Sequence, residues 1–360
     1  MNRRLANFVS SFIPSRVARR KFRRLHARDD DLSFGYYDGS LAYYPIYNAR
    51  VPLPAAEPEI YNARGERIHM CFFRDFHSSH APVYSGGRLM WDRYNFGLRH
   101  HLYTHRAMLE TMGHPDKRYG ALTETMGVLP EDYLIFDENP GLEKDFDRIF
   151  TYSKRLLDKL PNASFVPFCA NVRLDFVARG DGGLRTDGLY ATKGKGVSIL
   201  SSAKVLCPLH ALRLVTAKKL RRLGLADAFG TFDPTLGYVR AYDTLADYRF
   251  SVVFENSVDD YCFTEKLTNC LACQTIPIYI GPPGVGRFFN ADGMIQLAPD
   301  EVGDIEGVLK RATPEFYAER LPAVLDNYRR VARYRNALDF MYEEYLAEDF
   351  EGKGGGTDGK

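Results

Sequence analysis

Polar residues gather at one end of an apolar stretch, Tyr248 to Asn290. Phe250 to Phe254 has the pattern of a buried strand, and Glu255-Asn256-Ser257 follows it directly. After an acidic loop, Thr264-Glu265-Lys266 begins an apolar helical run that leads to a second buried strand. Ligands of open α/β sheets bind at the carboxyl ends of the strands. A core needs no such group of acids, amide, hydroxyls and lysine, so the stretch is the predicted active site.

A cationic helix follows another predicted strand. Lys195 to Ser201 reads as that strand, and the helix after Pro208 carries Arg213 and further cations. Arginine can contact two oxygens of a diphosphate at once, and Arg213 lies close to the loop. Arg213 is therefore the candidate phosphate-binding residue, whereas a solvated basic face is expected for Lys218 to Arg222.

Glu124 is the acid at the end of a predicted strand in the first half of the chain. Tyr119 to Leu122 reads as the strand, and Thr123-Glu124-Thr125 follows it. Glu138 is a nearby carboxylate, but it lies in a turn flanked by proline and glycine and is expected to be solvated. Strands that alternate with helices predict a mostly parallel sheet.

The segment from Leu89 to His105 is rich in aromatic and planar polar side chains, as sugar-binding surfaces are. The residues predicted to bind a glycan acceptor are Trp91, Arg93, Tyr94 and Asn95. His101 and His105 have the i, i+4 spacing of a metal site, but no acidic or cysteine ligand lies at a diagnostic distance. A helix surface with solvated or capping histidines is the preferred interpretation, and no metal site is predicted.

The composition is that of a soluble globular protein of two domains. The chain has 360 residues, 45% of them hydrophobic, and a formal net charge of +2. That charge argues against a bulk nucleic-acid binder. No apolar run approaches the ~20 residues of a transmembrane helix, and no signal peptide is recognised. With six cysteines and no export signal, reduced thiols in the cytoplasm are expected.

Residues 1–27 form a separate arm in the prediction. Leu5, Phe8, Val9, Phe12 and Ile13 recur at helical spacing, and a run of arginines and one lysine follows Pro14. An amphipathic helix beside clustered cations is typical of a segment on an anionic membrane surface. The alternatives are an ordinary first helix packed on the body and, with less support, a nucleic-acid arm.

The opening stretch resembles the donor-binding signature of the α-1,3/1,4-fucosyltransferases, glycosyltransferase family 10. The signature is Phe-Glu-Asn-Ser, a five-residue loop, a hydrophobic residue, Thr-Glu-Lys and later Pro, three hydrophobic residues and Gly. Here it stands as Phe254 to Ser257, Val258 to Cys262, Phe263, Thr264 to Lys266 and Pro277 to Gly281. The chain departs from the family at Cys262, where Tyr is usual and Tyr261 lies one step earlier. It departs again at Thr125-Met126, where the family has Ser-Pro.

The resemblance implies an α/β fold of GT-B type, with two Rossmann-like domains facing across a cleft. It implies transfer of L-fucose from GDP-fucose with inversion. The absence of a recognised export signal, together with the basic arm, leads us to expect a peripheral enzyme at the inner face of the membrane. Glu124 would be the base, and a divalent cation could stimulate the reaction without being required. The residues that the resemblance assigns to the donor are Arg213, Glu255, Asn256, Ser257, Tyr261, Thr264, Glu265 and Lys266.

The predicted organisation has five parts. Residues 1–27 are the arm, 28–185 an acceptor-binding domain, 186–325 a GDP-sugar-binding domain, 326–350 a C-terminal helix and 351–360 a disordered tail. The expected acceptor is a GlcNAc-containing surface polysaccharide or a lipid-linked oligosaccharide. Two alternatives stay open: a GT-B transferase with another nucleotide sugar, and a non-catalytic glycan-binding protein on the same scaffold.

Overall fold

The computed structural model describes residues 3–14, 59–62, 64–75, 87–92, 97–109, 111, 113–168, 172, 174, 186–259 and 261–351. Two separate, mainly parallel sheets dominate these residues, each with α-helices or 3-10 turns between its strands. The predicted α/β class is confirmed by this arrangement. Arg93, Tyr94 and Asn95 lie outside the described residues, as do the whole of the arm after Pro14 and the tail after Glu351.

The first sheet has the strand order β1-β2-β4-β5-β6-β7, with β3 paired to β2. Only the β1–β2 pair is antiparallel among the described strands. The bounds are β1 Ile60–Tyr61, β2 Arg67–Arg74, β3 Leu89–Asp92, β4 His100–Thr104, β5 Lys117–Ala121, β6 Arg148–Thr151 and β7 Ala163–Phe165.

The second sheet has the strand order β12-β11-β10-β8-β9, and every described pair in it is parallel. Its two central strands, β10 and β11, are apolar runs buried almost throughout, as expected for a sheet covered on both faces. The bounds are β8 Lys195–Leu200, β9 Asp227–Phe229, β10 Tyr248–Phe254, β11 Ile276–Ile280 and β12 Ile295–Leu297.

The α-helices of the described residues are mostly short. Their bounds are α1 Arg3–Ser11, α2 Ile135–Glu138, α3 Lys154–Lys159, α4 Pro208–Leu223, α5 Glu265–Ala272, α6 Ile305–Leu309, α7 Pro314–Val331, α8 Ala337–Met341 and α9 Ala347–Glu351. Helix α4 begins with proline at its first turn and ends at Gly224, whose φ of +65° suits a glycine. Within the described residues, no helix combines the length and the apolar character needed to cross a membrane.

The last described helix, α9, packs against the first sheet. The ring of His100 lies 3.8 Å from that of Phe350, and the hydroxyl of Tyr119 donates to Asp349 at 2.8 Å. A π-helical turn, Tyr342–Leu346, joins α8 to α9. The last helices therefore return to the first half of the molecule after the second sheet is complete.

The predicted helix surface between Leu89 and His105 is wrong. The segment contains β3 and β4, which both pair with β2, and His100 and His101 are buried within the sheet. The histidines and aromatic residues of these short strands gave a polar-looking sequence, but they stack on one another inside the fold. The ring of His101, for example, lies 4.7 Å from that of Phe72.

Candidate functional site

The strand order of the second sheet changes direction between β8 and β10. After β8 the chain moves outward to β9, and then returns to place β10 on the opposite side of β8. The connection after β8 therefore runs towards one edge of the sheet and the connection after β10 towards the other. The two connections leave a crevice at the carboxyl ends of the two strands. Ligands of open α/β sheets bind in such crevices.

A cavity of about 570 Å³ occupies this crevice. Glu124 and Val128 of the first half line it together with residues of the second half, so the cavity lies in a cleft between the two sheets. This is the GT-B arrangement predicted above. The lining side chains that carry hydrogen-bonding groups include Glu124, Ser201, Ser202, Lys204, His210, Arg213, Tyr238, Asn256, Glu265, Lys266 and Asn269.

Arg213 lines the cavity and has an N–H donor that is not hydrogen-bonded within the described structure. Its side chain is buried, Nη2 lies 3.5 Å from Oγ of Ser202, and Nε has no hydrogen-bond partner within the described structure. Burial lowers the pKa of the guanidinium, although arginine stays charged at neutral pH. Since α4 begins nearby at Pro208, its first N–H groups add positive potential to the same region. A diphosphate is a chemically suitable ligand for this combination.

His210 was not among the site residues predicted from the sequence, yet it lies beside Arg213 in the cavity wall. The backbone N–H of Leu206 donates to Nδ1 at 3.2 Å, and Nε2 lies 2.7 Å from Oδ1 of Asn256. Because Nδ1 accepts, the ring proton is on Nε2 and is donated to the Asn256 oxygen. Burial lowers the pKa of His210, which favours this neutral form. The histidine thereby fixes the Asn256 amide at the cavity.

Glu255 lies beneath the cavity and does not line it. Its side chain is fully buried, and its two oxygens accept from the backbone N–H of Thr264 at 2.9 Å and from the Thr264 hydroxyl at 2.6 Å. Burial raises the pKa of Glu255, an effect that Lys266 and these hydrogen bonds oppose. The predicted donor contact of Glu255 is therefore corrected: the residue holds the start of α5.

Thr264, Ser257 and Tyr261 also stay out of the cavity lining. Thr264 is the N-cap of α5 and accepts from the backbone N–H of Lys266. Ser257 accepts from the backbone N–H of Asp259 within its own loop. Tyr261 packs its ring near that of Phe288, and its hydroxyl accepts from Arg287. All three residues make local structural contacts, and the donor contacts expected of them stay predictions.

Glu265 and Lys266 do reach the cavity from the first turn of α5. The Lys266 ammonium lies 3.3 Å from the Glu265 carboxylate, 3.1 Å from the Thr264 hydroxyl and 3.9 Å from the Glu255 carboxylate. The buried Glu255 thus supports a cation whose side chain is about one quarter exposed. Lys266 and Arg213 give the second half of the site two cations along one wall.

Glu124 stands on the other side of the cleft. It follows β5, its carboxylate accepts from the backbone N–H of Thr125 at 2.8 Å, and it lines the cavity. Glu138 is exposed and pairs with Arg106 at 3.0 Å, and it does not line the cavity. Of these two carboxylates, only Glu124 is in a position to meet a ligand there.

The predicted acceptor residue Trp91 is a core side chain. It is 6% exposed, and its ring is stacked on Phe73 with 5.2 Å between centroids. This position leaves no open ring face for a sugar, so the prediction for Trp91 is corrected. Within the described part of the chain, no cluster of three or more histidine, cysteine or acidic side chains is arranged to hold a metal.

Residues 193–297 match the family model "Glycosyltransferase family 10 (fucosyltransferase) C-term". This range contains β8 to β12 and the second-half wall of the cavity. The resemblance drawn from Phe254 to Gly281 is confirmed by the match, which also extends back to Lys193.

Two curated relatives are similar to parts of the chain. A putative fucosyltransferase-like protein of Arabidopsis thaliana is 33% identical over 91 residues, which are 24% of this chain and 17% of the relative. The alpha-(1,3)-fucosyltransferase FucT of Helicobacter pylori is 34% identical over 70 residues, 19% of this chain and 15% of the relative. The matches thus span less than a fifth of either relative's length.

A crystal structure of an α1,3-fucosyltransferase with GDP-fucose is similar over 79% of this chain and 94% of its own. The sequence identity is 16% and the TM-score is 0.43. The α/β fold of the chain is shown by the strand pairing of its two sheets.

Proposed function

Through residues 193–297 the chain belongs to glycosyltransferase family 10, and from this premise we propose that it is a fucosyltransferase. In this proposal it moves L-fucose from GDP-fucose to a hydroxyl of a glycan, with inversion at the anomeric carbon. The observation that carries the proposal is that Glu124 faces the same cavity as Arg213 and Lys266, from the opposite sheet.

The donor lies along the second-half wall in this proposal. Arg213 and Lys266 contact the diphosphate, since both are cations that reach the cavity. Asn256 and Glu265 face the fucose and ribose hydroxyls, for which an amide and a carboxylate are suitable partners. His210 holds Asn256 in place through the 2.7 Å contact.

The transfer step uses Glu124 as general base. A lone pair of the acceptor hydroxyl oxygen forms the new bond to the fucose anomeric carbon, and its proton passes to the Glu124 carboxylate. The bond from that carbon to the β-phosphate oxygen breaks on the opposite face, and its electron pair leaves with GDP. Arg213 and Lys266 stabilise the negative charge that develops on the departing diphosphate. With these two cations present, a divalent metal stimulates transfer at most and is not required.

The N-terminal arm supports a location at a membrane surface, and that location in turn suggests the class of acceptor. Leu5, Phe8, Val9 and Phe12 of α1 are exposed, and the sequence after Pro14 is basic. An arm of this kind would hold the enzyme on an anionic membrane surface, at its cytoplasmic face. A lipid-linked oligosaccharide or a GlcNAc-containing polysaccharide precursor is the acceptor class that meets GDP-fucose there.

Titration calorimetry with GDP, UDP and ADP, followed by a transfer assay with GDP-fucose and a glycan array, tests the proposal. We expect GDP to bind most tightly and fucose to appear on an acceptor, detected as a mass increase. Tighter binding of UDP would favour a transferase with another nucleotide sugar. Glycan binding without transfer or donor hydrolysis would favour a non-catalytic scaffold.

A further inference from the structure

His105 has an unusual backbone at the carboxyl end of β4. Its φ is +52°, and among the described residues Gln274 is the other non-glycine residue with a positive φ. A side chain with a Cβ rarely adopts this conformation, and such residues persist where the surrounding structure fixes them, often at functional sites. The ring of His105 is 1% exposed, so its contacts are made inside the protein.

The ring accepts hydrogen bonds from the loop that carries Glu124. Nε2 of His105 lies 3.1 Å from the backbone nitrogens of both Thr123 and Glu124. Backbone N–H groups can only donate, so Nε2 is the acceptor and the ring proton is on Nδ1. Nδ1 lies 3.4 Å from Oδ2 of Asp132, which is buried and whose Oδ1 accepts from Nε of Arg106 at 3.1 Å. Asp132 thereby favours the tautomer that leaves Nε2 free to accept.

The other side of the Glu124 backbone is held as well. Its carbonyl oxygen accepts from the Tyr133 hydroxyl at 2.6 Å, and its carboxylate accepts from the backbone N–H of Thr125 at 2.8 Å. Tyr133 is buried. Two buried side chains, His105 and Tyr133, therefore fix the N–H and the C=O of the residue whose carboxylate lines the cavity.

We propose that His105 is a positioning residue for Glu124: its ring, oriented by Asp132, fixes the loop from which the base reaches the acceptor hydroxyl. The inference rests on the proposed function, in which Glu124 removes the proton. A buried histidine with a purely structural role would affect the stability of the fold and the binding of the donor. A positioning residue affects the rate of transfer and acts only through Glu124.

A double-mutant cycle separates these roles. We expect His105→Gly, which keeps the positive φ accessible, to lower kcat about 30- to 100-fold with GDP affinity within about twofold, because a small misplacement of a reacting group is costly. In the Glu124→Gln background the same change should lower kcat no further. Multiplicative losses in the double variant, or a parallel loss of GDP affinity, would overturn the proposal.

Gln274→Gly is the matched control, because Gln274 has a left-handed backbone and a buried side chain, lies in the turn between α5 and β11, and does not line the cavity. It should leave kcat within about twofold at a comparable loss of Tm, since it does not touch the Glu124 loop. If His105→Gly does not fold, His105→Asn replaces it in the cycle, as asparagine tolerates a positive φ.

Hydrogen exchange tests the role of His105 independently of fucose transfer. If the wild type transfers no fucose, or Glu124→Gln is fully active, the assignment of the base fails. Exchange at the amides of Thr123 and Glu124 still reports on His105. Faster exchange there in the His105 variant, with unchanged exchange in β4 and β5, supports positioning of the loop, and unchanged exchange at these two amides refutes it.

Discussion

Gly127 meets the backbone of Asn256 across the cleft. A Cβ at Gly127 would lie 2.1 Å from the carbonyl oxygen of Asn256, closer than any side chain can approach. Gly127 follows Glu124 by three residues, and Asn256 lies two residues after the end of β10. The two walls of the cavity are therefore in direct backbone contact beside the proposed base, and the absence of a side chain at residue 127 makes this contact possible.

Replacing Gly127 by alanine should push these walls apart. We expect Gly127→Ala to lower kcat for transfer by about tenfold or more, since the base would stand farther from the donor. GDP affinity should change little, because the cations that bind it lie on one wall. Gly303→Ala is the control, as open space surrounds residue 303. Wild-type kcat in Gly127→Ala would show that the contact does not set the catalytic distance.

Glu124→Gln tests the base directly. The amide keeps the size of the side chain but cannot take the acceptor proton, so kcat should fall by about 10²- to 10⁴-fold while calorimetry gives an unchanged GDP affinity. Glu138→Gln is the matched control, because Glu138 is exposed and paired with Arg106 outside the cavity. Loss of GDP binding in Glu124→Gln would assign the residue to the donor site or the fold.

The sequence predicted the elements whose apolar runs are continuous. The strands β8, β10 and β11 and the helix α5 lie close to their predicted positions. The strand β3 was missed because it has only four residues, and β4 because its two histidines, which are buried beside aromatic rings, interrupt the apolar pattern. Burial of such residues depends on partners far along the chain.

The site was predicted at the level of the segment but not of each side chain. Glu255 and Asn256 are neighbours in the sequence, yet one enters the core and the other lines the cavity. Successive side chains of an extended chain point in opposite directions, but the sequence does not say which direction is the cavity. His210 was missed as a site residue because its partner Asn256 is 46 residues away.

The donor wall can be tested at Lys266. We expect Lys266→Ala to weaken GDP binding by about 1.5–3 kcal/mol, the usual range for a hydrogen bond to a charged group. Lys218→Ala is the control, since Lys218 is an exposed cation of α4 that does not line the cavity. Calorimetry on the three proteins gives the comparison. Equal GDP affinity for the Lys266 variant and the wild type would contradict the assigned diphosphate contact.

Arg213→Lys examines the geometry of the same wall. Lysine keeps the charge but cannot bind two diphosphate oxygens through one planar group, so GDP affinity should fall by about tenfold. The measurement is again calorimetry, with the far-ultraviolet circular dichroism spectrum as a check of folding. If the lysine variant binds GDP as tightly as the wild type, Arg213 supplies only charge and the paired contact is wrong.

The membrane arm is tested by vesicle flotation. Deleting residues 1–27 should reduce binding to anionic vesicles and leave turnover on a soluble acceptor unchanged. A finer variant replaces Phe8 and Phe12, both exposed on and just after α1, by serine and keeps every cation of the arm. Reduced flotation of this variant is expected, because apolar burial contributes to interfacial binding. Flotation equal to that of the wild type in the deletion variant would refute the arm.

The buried ring of His69 should make the stability of the protein depend on pH. Its ring is buried between the first sheet and the C-terminal helices, 5.5 Å from the Tyr342 ring and 5.1 Å from the Phe350 ring. Burial is the main cause that lowers its pKa from 6.5 to about 4. The charged and titratable groups that act on it are Arg67, Arg88, Glu351 and His100.

A pKa that is lowered in the folded state makes stability fall as the pH falls. The unfolded chain protonates His69 near pH 6.5, whereas the folded protein resists until about pH 4. The contribution of the neutral ring to the free energy of unfolding is thus fully present above pH 6.5 and is lost as the pH falls towards 4. Between pH 7 and pH 5 this amounts to about 2 kcal/mol of unfolding free energy.

Urea unfolding of His69→Gln should show a pH dependence weaker by that amount, and His114→Gln, at an exposed histidine, should match the wild type. An unchanged pH dependence in His69→Gln would mean that the buried ring is not the group that titrates.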